Sequence, residues 1–435
     1  VEAAASTGGQ LMPPVMGAGA FIMASYTQVS YLTIVAVAAL PALLYFLSVA
    51  MFVRIEAKRS HAVKLEDEET PRLATVLKGG WHFLLPLVVL VAALVYGFTP
   101  TYAAGIAIVS VILASWLSGR PMGVRDIVEA LAMGARNIMT TAILLITVGL
   151  IVMVVSTTGI GNTFSLMITD WAGGSLLVTI LLVALASLIL GMGLPVTAAY
   201  IVLATLSAPA IYQLIAQGQL LDLLMAGQLP EQAKAIFMLV APDQLPQLNA
   251  PMDQATAMAL LAAVPDTFSR QLLELALSPA TLAMALVAAH MIIFWLSQDS
   301  NVTPPVCLTA FAAAAIAGTP QMRTGFTAWK LAKGLYIVPL LFAYSPLITG
   351  DLTEMLRVFC FALFGIYAII AGLEGYLEHP LTPLVRLAMF PVGALMLWPH
   401  GQLLFDAAGL VVFVLLFIWS SRQGRAGSPG AAAHP

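Results

Sequence analysis

Apolar residues in this chain fall in long runs, with polar residues in short clusters between them. Residues 31–53, 81–98, 101–117 and 139–155 are almost wholly apolar. Each is long enough to cross a bilayer as a helix, which takes about 20 residues. Four more apolar segments follow towards the C-terminus, at 336–349, 355–373, 387–398 and 403–419. Two further runs, 1–24 and 282–318, are interrupted midway by small polar residues and paired prolines. Proline removes a backbone donor and fixes φ, so each run is expected to be a broken helix. The region 175–216 is apolar on both sides of Gly191-Met192-Gly193-Leu194-Pro195. It reads as a re-entrant hairpin that enters the membrane and turns back. Two segments are amphipathic. In 123–137, Val124, Ile127, Val128 and Leu131 share one helical face, away from Arg125, Asp126, Glu129 and Arg136. The segment 322–335 combines Trp329 with Lys330 and Lys333. Both predict helices lying in the membrane interface, and an ordinary connecting helix fits each equally well. The pattern as a whole predicts an all-α polytopic membrane protein.

The two interruptions share a motif. Ser6-Thr7-Gly8-Gly9-Gln10-Leu11-Met12-Pro13-Pro14-Val15 aligns without gaps on Ser297-Gln298-Asp299-Ser300-Asn301-Val302-Thr303-Pro304-Pro305-Val306. In a membrane, broken helix ends are tolerated only where protein or a water-filled cavity satisfies them. A pair of interrupted helices in the two halves of a membrane chain points to a transporter's binding site.

Composition and charge turn this pattern into a topology. The chain is 60% hydrophobic and 9% charged, where a soluble domain carries about 25% charged residues. Its net charge of −3 argues against nucleic acid as a partner. The two cysteines, Cys307 and Cys360, both lie in apolar sequence and read as packing residues. Most Lys and Arg fall in four groups: Arg54 to Lys78, Arg120 to Arg136, Arg323 to Lys333, and Arg422 with Arg425. The positive-inside rule places all four in the cytoplasm. The stretch 217–278, with Asp222, Glu231, Asp243, Asp253, Asp266 and Glu274 against Lys234 and Arg270, then belongs outside. The run Glu66 to Glu69 reads as a solvated cytoplasmic loop. Parity makes the two broken helices cross in opposite directions, the inverted-repeat pattern of secondary transporters. The expected organisation has the end of a first repeat at 1–54, a cytoplasmic loop at 55–80, and two spans with an interfacial helix at 81–137. A second repeat fills 138–335, holding the hairpin at 175–216, the extracytoplasmic stretch 217–278, the broken helix 282–318 and the interfacial helix 322–335. Four membrane segments at 336–421 and a cytoplasmic tail at 422–435 complete it. The chain starts inside a motif, without initiator Met or signal peptide, and is expected to be the C-terminal part of a longer protein.

The run Gly191-Met192-Gly193-Leu194-Pro195-Val196-Thr197-Ala198-Ala199-Tyr200-Ile201-Val202-Leu203-Ala204 resembles the signature of the large permease of tripartite ATP-independent periplasmic (TRAP) transporters. Gly9 to Gly17, and Asn301 to Val306 with the apolar stretch after it, resemble that family's two broken helices. Thr158-Gly159-Ile160-Gly161 and Met322-Arg323-Thr324-Gly325 agree. The resemblance runs from Val1 to about Tyr344 and is closest to the type in which small and large membrane subunits are fused. It implies an inverted-repeat, elevator-type, sodium-coupled symporter of the bacterial inner membrane. Its substrate would be an organic acid, such as a C4-dicarboxylate, delivered by a periplasmic binding protein of the TAXI class, without ATP hydrolysis. The family's first re-entrant hairpin and the small membrane subunit would precede Val1. The stretch 217–278 is longer than the family pattern leads one to expect.

The residues at the breaks suit that reading. Unwound segments expose carbonyl oxygens, and helix C-termini carry partial negative charge; in broken-helix transporters such groups coordinate Na⁺. Ser6, Thr7, Thr197, Ser297, Asn301 and Thr303 add neutral oxygens, and Thr197, Asn301 and Thr303 are the candidate Na⁺ ligands. Gly8, Gly9, Gly191 and Gly193 let the backbone turn and approach a ligand closely. Pro13, Pro14, Pro195, Pro304 and Pro305 set the breaks, and the half-helix N-terminus after Pro195 favours a carboxylate. A single Ser or Thr in a membrane helix more often bonds to a neighbouring carbonyl; clustering at both repeats argues for more. Asp299 is an acid near membrane depth, a functional candidate in itself. It could ligate a cation, carry a proton or pair at a cavity mouth, and the sequence leaves these open. His290 reads as a hydrogen-bonded packing residue in preference to a proton carrier. No cofactor other than the coupling ion is expected. A carboxylate transporter working without a binding protein fits the same motifs. An intramembrane enzyme does not, since neither His-Glu-x-x-His nor Gly-x-Ser-x-Gly occurs; nor does a nucleotide-driven pump, since no phosphate-binding loop occurs.

Overall fold

A computed structural model of the chain describes residues 1–60, 73–118, 121–240, 242–349, 351–398 and 403–426. Lys64, the acidic run Glu66 to Glu69, Arg72 and Arg120 lie outside the described residues, as do residues 427–435 of the tail. Among the described residues every regular element is a helix, apart from one isolated bridge between Tyr376 and Pro380. Among the described residues eight helices are long and apolar enough to cross a membrane: Tyr31–Arg59, Ala74–Val95, Val124–Thr158, Val196–Met225, Pro279–Asn301, Gln321–Tyr344, Leu352–Glu374 and Leu403–Gln423. The chain is an all-α, multi-pass membrane protein.

Helix boundaries follow local chemistry. Ser30, Ser175 and Ser278 cap their helices by accepting the backbone N–H three residues on. Pro279 stands in the first turn of its helix, where the missing N–H costs nothing. Three expectations are revised. Residues 123–137 and 139–155 are one continuous helix, Val124–Thr158, and not an interfacial helix followed by a span. The polarity changes near Asn137, but no proline or left-handed glycine is there to end the helix. The second arm of the hairpin runs on past Ala216 to Met225, giving a 30-residue helix. The segment 322–335 splits into Gln321–Leu331 and the start of Gly334–Tyr344.

The chain divides into two compact units. The first comprises residues 1–21, 30–151 and 361–435. Here Glu2–Gly8 lies against Tyr31–Arg59. The Tyr45 hydroxyl donates to the Ala4 carbonyl at 2.7 Å, and a Cβ on Gly8 would come within 2.8 Å of the Tyr45 ring. In the C-terminal part, Gly365 and Gly393 let two helices touch through their backbones. A Cβ on Gly393 would stand 2.8 Å from the Gly365 carbonyl, the close approach that small residues permit between membrane helices. Glu378 ties this part to Tyr31–Arg59 by accepting from Arg54 and Lys58. Its backbone N–H and that of His379 donate to Ser420.

Glu378 titrates accordingly. Partial burial raises its pKa, but the Lys58 ammonium and Arg54 guanidinium outweigh that and hold it below the ordinary 4.5. A carboxylate with a lowered folded pKa stabilises above its unfolded value, and that stability is lost as pH falls through the folded one. Glu378→Gln is therefore expected to lower the melting temperature of the purified protein at neutral pH. The gap to wild type should close as pH falls through the folded pKa of Glu378, as thermal unfolding at a series of pH values would show.

The second unit comprises residues 22–29 and 152–360. Val196–Met225 and Pro279–Ser297 form its centre, with Tyr200, Phe294 and Trp295 fully buried. The stretch 217–278 folds as a small helical body. Glu231–Val240, Gln254–Ala262 and Asp266–Ala276 close around Leu220, Leu224, Phe237, Leu260 and Leu272. Asp222, Glu231, Asp243, Asp253 and Glu274 are exposed on it. Asp253 caps Gln254–Ala262, and its bonds from the Thr256 hydroxyl and backbone hold its carboxyl below the usual carboxylate range.

Candidate functional site

The two proline motifs fold alike. In the first, the backbone N–H groups of Leu11 and Met12 both donate to the Gly8 carbonyl, at 3.0 and 2.9 Å. In the second, the aligned Val302 and Thr303 both donate to the Asp299 carbonyl, also at 3.0 and 2.9 Å. Pro13-Pro14 and Pro304-Pro305 are both joined by cis bonds. Helix resumes within one residue of the same aligned position, as Ala18–Thr27 and Leu308–Ala317. The cause is chemical: consecutive prolines supply no N–H, so the carbonyls four residues before them lose their helical donors. The repeat also extends further than the motif. At the same offset Tyr45 aligns with Tyr336, and each phenol reaches back to its own broken helix, Tyr45 to Ala4 and Tyr336 to Asp299.

Several candidate side chains are spent locally. Ser297 and Thr7 bond back to the carbonyls of Ile293 and Ala3, at 2.7 and 2.9 Å, the common role of hydroxyls in membrane helices. Ser6 donates to Glu2 at 3.1 Å. Other candidates come together in the second unit. The hairpin tip packs on the second break so closely that a Cβ on Gly191 would lie 3.1 Å from Ser300 Cα. The helix Val196–Met225 starts at Pro195 without a side-chain cap, and Thr197 stands half-buried in its first turn. Asn301 is half-buried and Thr303 buried. Gly193 has no atom near the place of a Cβ. Gly8, Gly9, Pro13 and Pro14 belong to the first unit.

Asp299 is fully buried and accepts from Tyr336, whose oxygen accepts from Trp329 Nε1 at 3.0 Å. The Lys333 ammonium lies 3.2 Å from the centre of the Trp329 ring. The sequence reading missed Tyr336, which only the longer repeat could have flagged. It also missed Gly325, where a Cβ would stand 2.6 Å from Cys307 Sγ and 3.2 Å from Pro304 Cγ. His290 shares a 2.9 Å hydrogen bond with Tyr200 and faces the Tyr26 ring. It also lines a cavity of about 1060 Å³ that reaches Tyr212, Gln217 and Arg270.

The comparison with known proteins agrees with this architecture. A family model of the DctM component of tripartite ATP-independent periplasmic transporters matches residues 1–348. The chain belongs to this family. No curated protein and no solved structure matches it. The permease region thus holds both breaks, the hairpin and the Asp299 cluster. The helices Leu352–Glu374, Pro383–Leu397 and Leu403–Ala426 lie beyond the matched residues.

Proposed function

We propose that this permease is the large membrane component of a secondary active transporter that imports an organic carboxylate by Na⁺ symport through an elevator movement. The observation that carries the reading is the pair of helix breaks with the same hydrogen-bond pattern, the second seated against the hairpin tip at Gly191. Such breaks present carbonyl oxygens to a cation and a half-helix N-terminus to an anion. Thr197, Asn301 and Thr303 are the proposed Na⁺ ligands, together with exposed carbonyls. The substrate carboxylate would meet the N-terminus at Val196. A periplasmic binding protein, of the TAXI type by the sequence resemblance, would deliver the substrate. A small membrane subunit, fused upstream, would complete the transporter in the bacterial inner membrane.

The test is uptake of candidate organic acids into proteoliposomes holding the full-length protein, with and without its binding protein. Accumulation that needs the binding protein supports the reading; equal accumulation without it favours a carboxylate transporter that works alone. The orientation has its own test. Gln247 is exposed on the helical body 217–278, which the charge pattern puts outside. In a variant lacking Cys307 and Cys360, Gln247→Cys is expected to react with an impermeant thiol reagent on intact cells. Labelling only after lysis would reverse the topology.

A further inference from the structure

Neither break lines the cavity beside His290, which is a groove among helices of the second unit. Its length follows from helix geometry. The helix Val196–Met225 lines it from Ala204 to Gln217, thirteen steps of about 1.5 Å, or about 20 Å. On the antiparallel helix Pro279–Ser297, Leu282, Leu286 and His290 line it at a spacing of four, along one face. The Tyr200–His290 hydrogen bond and the Tyr26 ring close the inner end. One leaflet of hydrocarbon is about 15 Å thick. The groove is thus long enough to run from the membrane interior to its surface. Its volume of about 1060 Å³ matches the upper end of small-molecule sites, about 1,000 Å³.

Polarity changes along this length. The walls are apolar at Leu166, Ala208, Leu282 and Leu286. Polar side chains gather at the outer end, where Tyr212 and Gln217 meet Arg270 and Glu274 of the helical body. The helix Ile160–Trp171 brings Asp170 to the same end, since Gly174, just beyond that helix, lines the groove with Gln217. Trp171 beside it is exposed, as tryptophans are at a membrane–water boundary.

The charges at this mouth select a ligand. Arg270 Nε donates to Glu274 at 2.9 Å, which uses one of the five N–H bonds of the guanidinium. Among the described residues Asp170 forms no ion pair. Two carboxylates against one guanidinium repel a simple anion, so the groove does not suit a carboxylate. A head group holding both an ammonium and a phosphate meets both signs. The ammonium would face Asp170 and Glu274, and the phosphate the remaining Arg270 N–H groups. We infer that the groove binds one zwitterionic phospholipid from the bilayer, with its head group at Asp170 and Arg270 and an acyl chain along Leu282 and Leu286 towards His290. The lipid would join the helical body 217–278 to the membrane helices of its own unit.

Native mass spectrometry of the purified, delipidated full-length protein tests this. The probes are dioctanoyl phosphatidylethanolamine, which is zwitterionic, and dioctanoyl phosphatidylglycerol, which is anionic. The wild type is expected to bind one ethanolamine lipid saturably, about fivefold tighter than the glycerol lipid. Leu286→Trp fills the groove and is expected to weaken that binding about tenfold or more. Val109→Trp, on an exposed position of Pro100–Trp116, should leave it unchanged. Asp170→Lys turns the mouth from one net negative charge to one net positive, and the preference should reverse towards the glycerol lipid. Equal wild-type affinities for the two lipids overturn the proposal, as does wild-type affinity in Leu286→Trp. Should Leu286→Trp fail to fold, an unchanged preference in Asp170→Lys overturns it instead. Lipid bound with no response to either variant is adventitious lipid only, and also overturns it. The measurement involves neither substrate nor Na⁺, so its failure leaves the transport reading standing.

Discussion

Gly191→Val is expected to reduce uptake about a hundredfold while the protein still inserts at normal levels. A Cβ at this position would already lie 3.1 Å from Ser300 Cα and Cβ and 3.3 Å from Ser300 N. These are backbone and first side-chain atoms of a short 3₁₀ segment, Gln298–Asn301, so they cannot swing aside as the end of a long side chain would. Valine adds two more methyl groups, and overpacking of this kind costs about 1–3 kcal/mol. The cost falls where the hairpin tip meets the second break, so the candidate groups on both move apart. A misplacement of about 1 Å can cost a hundredfold in function. Gly105→Ala is the control, because nothing lies within 4 Å of its Cβ position; uptake should not change. Normal uptake by Gly191→Val would show that the close seat of hairpin on break has no part in transport.

The double change Pro304→Ala, Pro305→Ala is expected to abolish uptake without lowering the melting temperature. A proline inside a helix costs about 3 kcal/mol or more, chiefly through its missing donor and its ring clash. With alanine at both places, N–H groups return and can close helical bonds to the Ser300 and Asn301 carbonyls. The helix Pro279–Ser297 can then run on through 298–307. Such a variant would be as stable as wild type or more so, yet it would have lost the unwound carbonyls. Stability kept with function gone distinguishes this outcome from simple misfolding. Wild-type uptake would mean that the break serves chain geometry alone.

What the sequence made legible depended on the distance over which each signal acts. The breaks at 13–14 and 304–305 were readable because proline acts on its own turn. The all-helical class was readable because apolar runs of membrane length admit little else. The continuity of Val124–Thr158 is not legible in the pattern, because a change of polarity does not stop a helix; caps and proline do. In the body 217–278 the six acids dominate the local pattern. Its fold is carried by Leu220, Leu224, Phe237 and Leu272, whose partners lie on other helices. Within the site, Asp299 was visible as an acid in apolar surroundings, but its partner Tyr336 is 37 residues away. Only the shared offset of Tyr45 and Tyr336 carries a trace of that contact. The seat of Gly191 on Ser300 joins residues far apart in the chain and left no local mark. Ser6, Thr7 and Ser297 looked equal to Thr303 as candidates, because one sequence does not tell a hydroxyl bonded to its own turn from one that meets the buried Asp299.

The most direct measurement of the central claim, cation coupling through the paired breaks, is substrate accumulation in proteoliposomes. They would hold the full-length protein and its loaded binding protein, with external Na⁺ replaced by choline at fixed pH. The account predicts that accumulation falls to background without Na⁺ and returns in proportion to an inward Na⁺ gradient. Accumulation that persists in choline and follows an imposed pH gradient would contradict it.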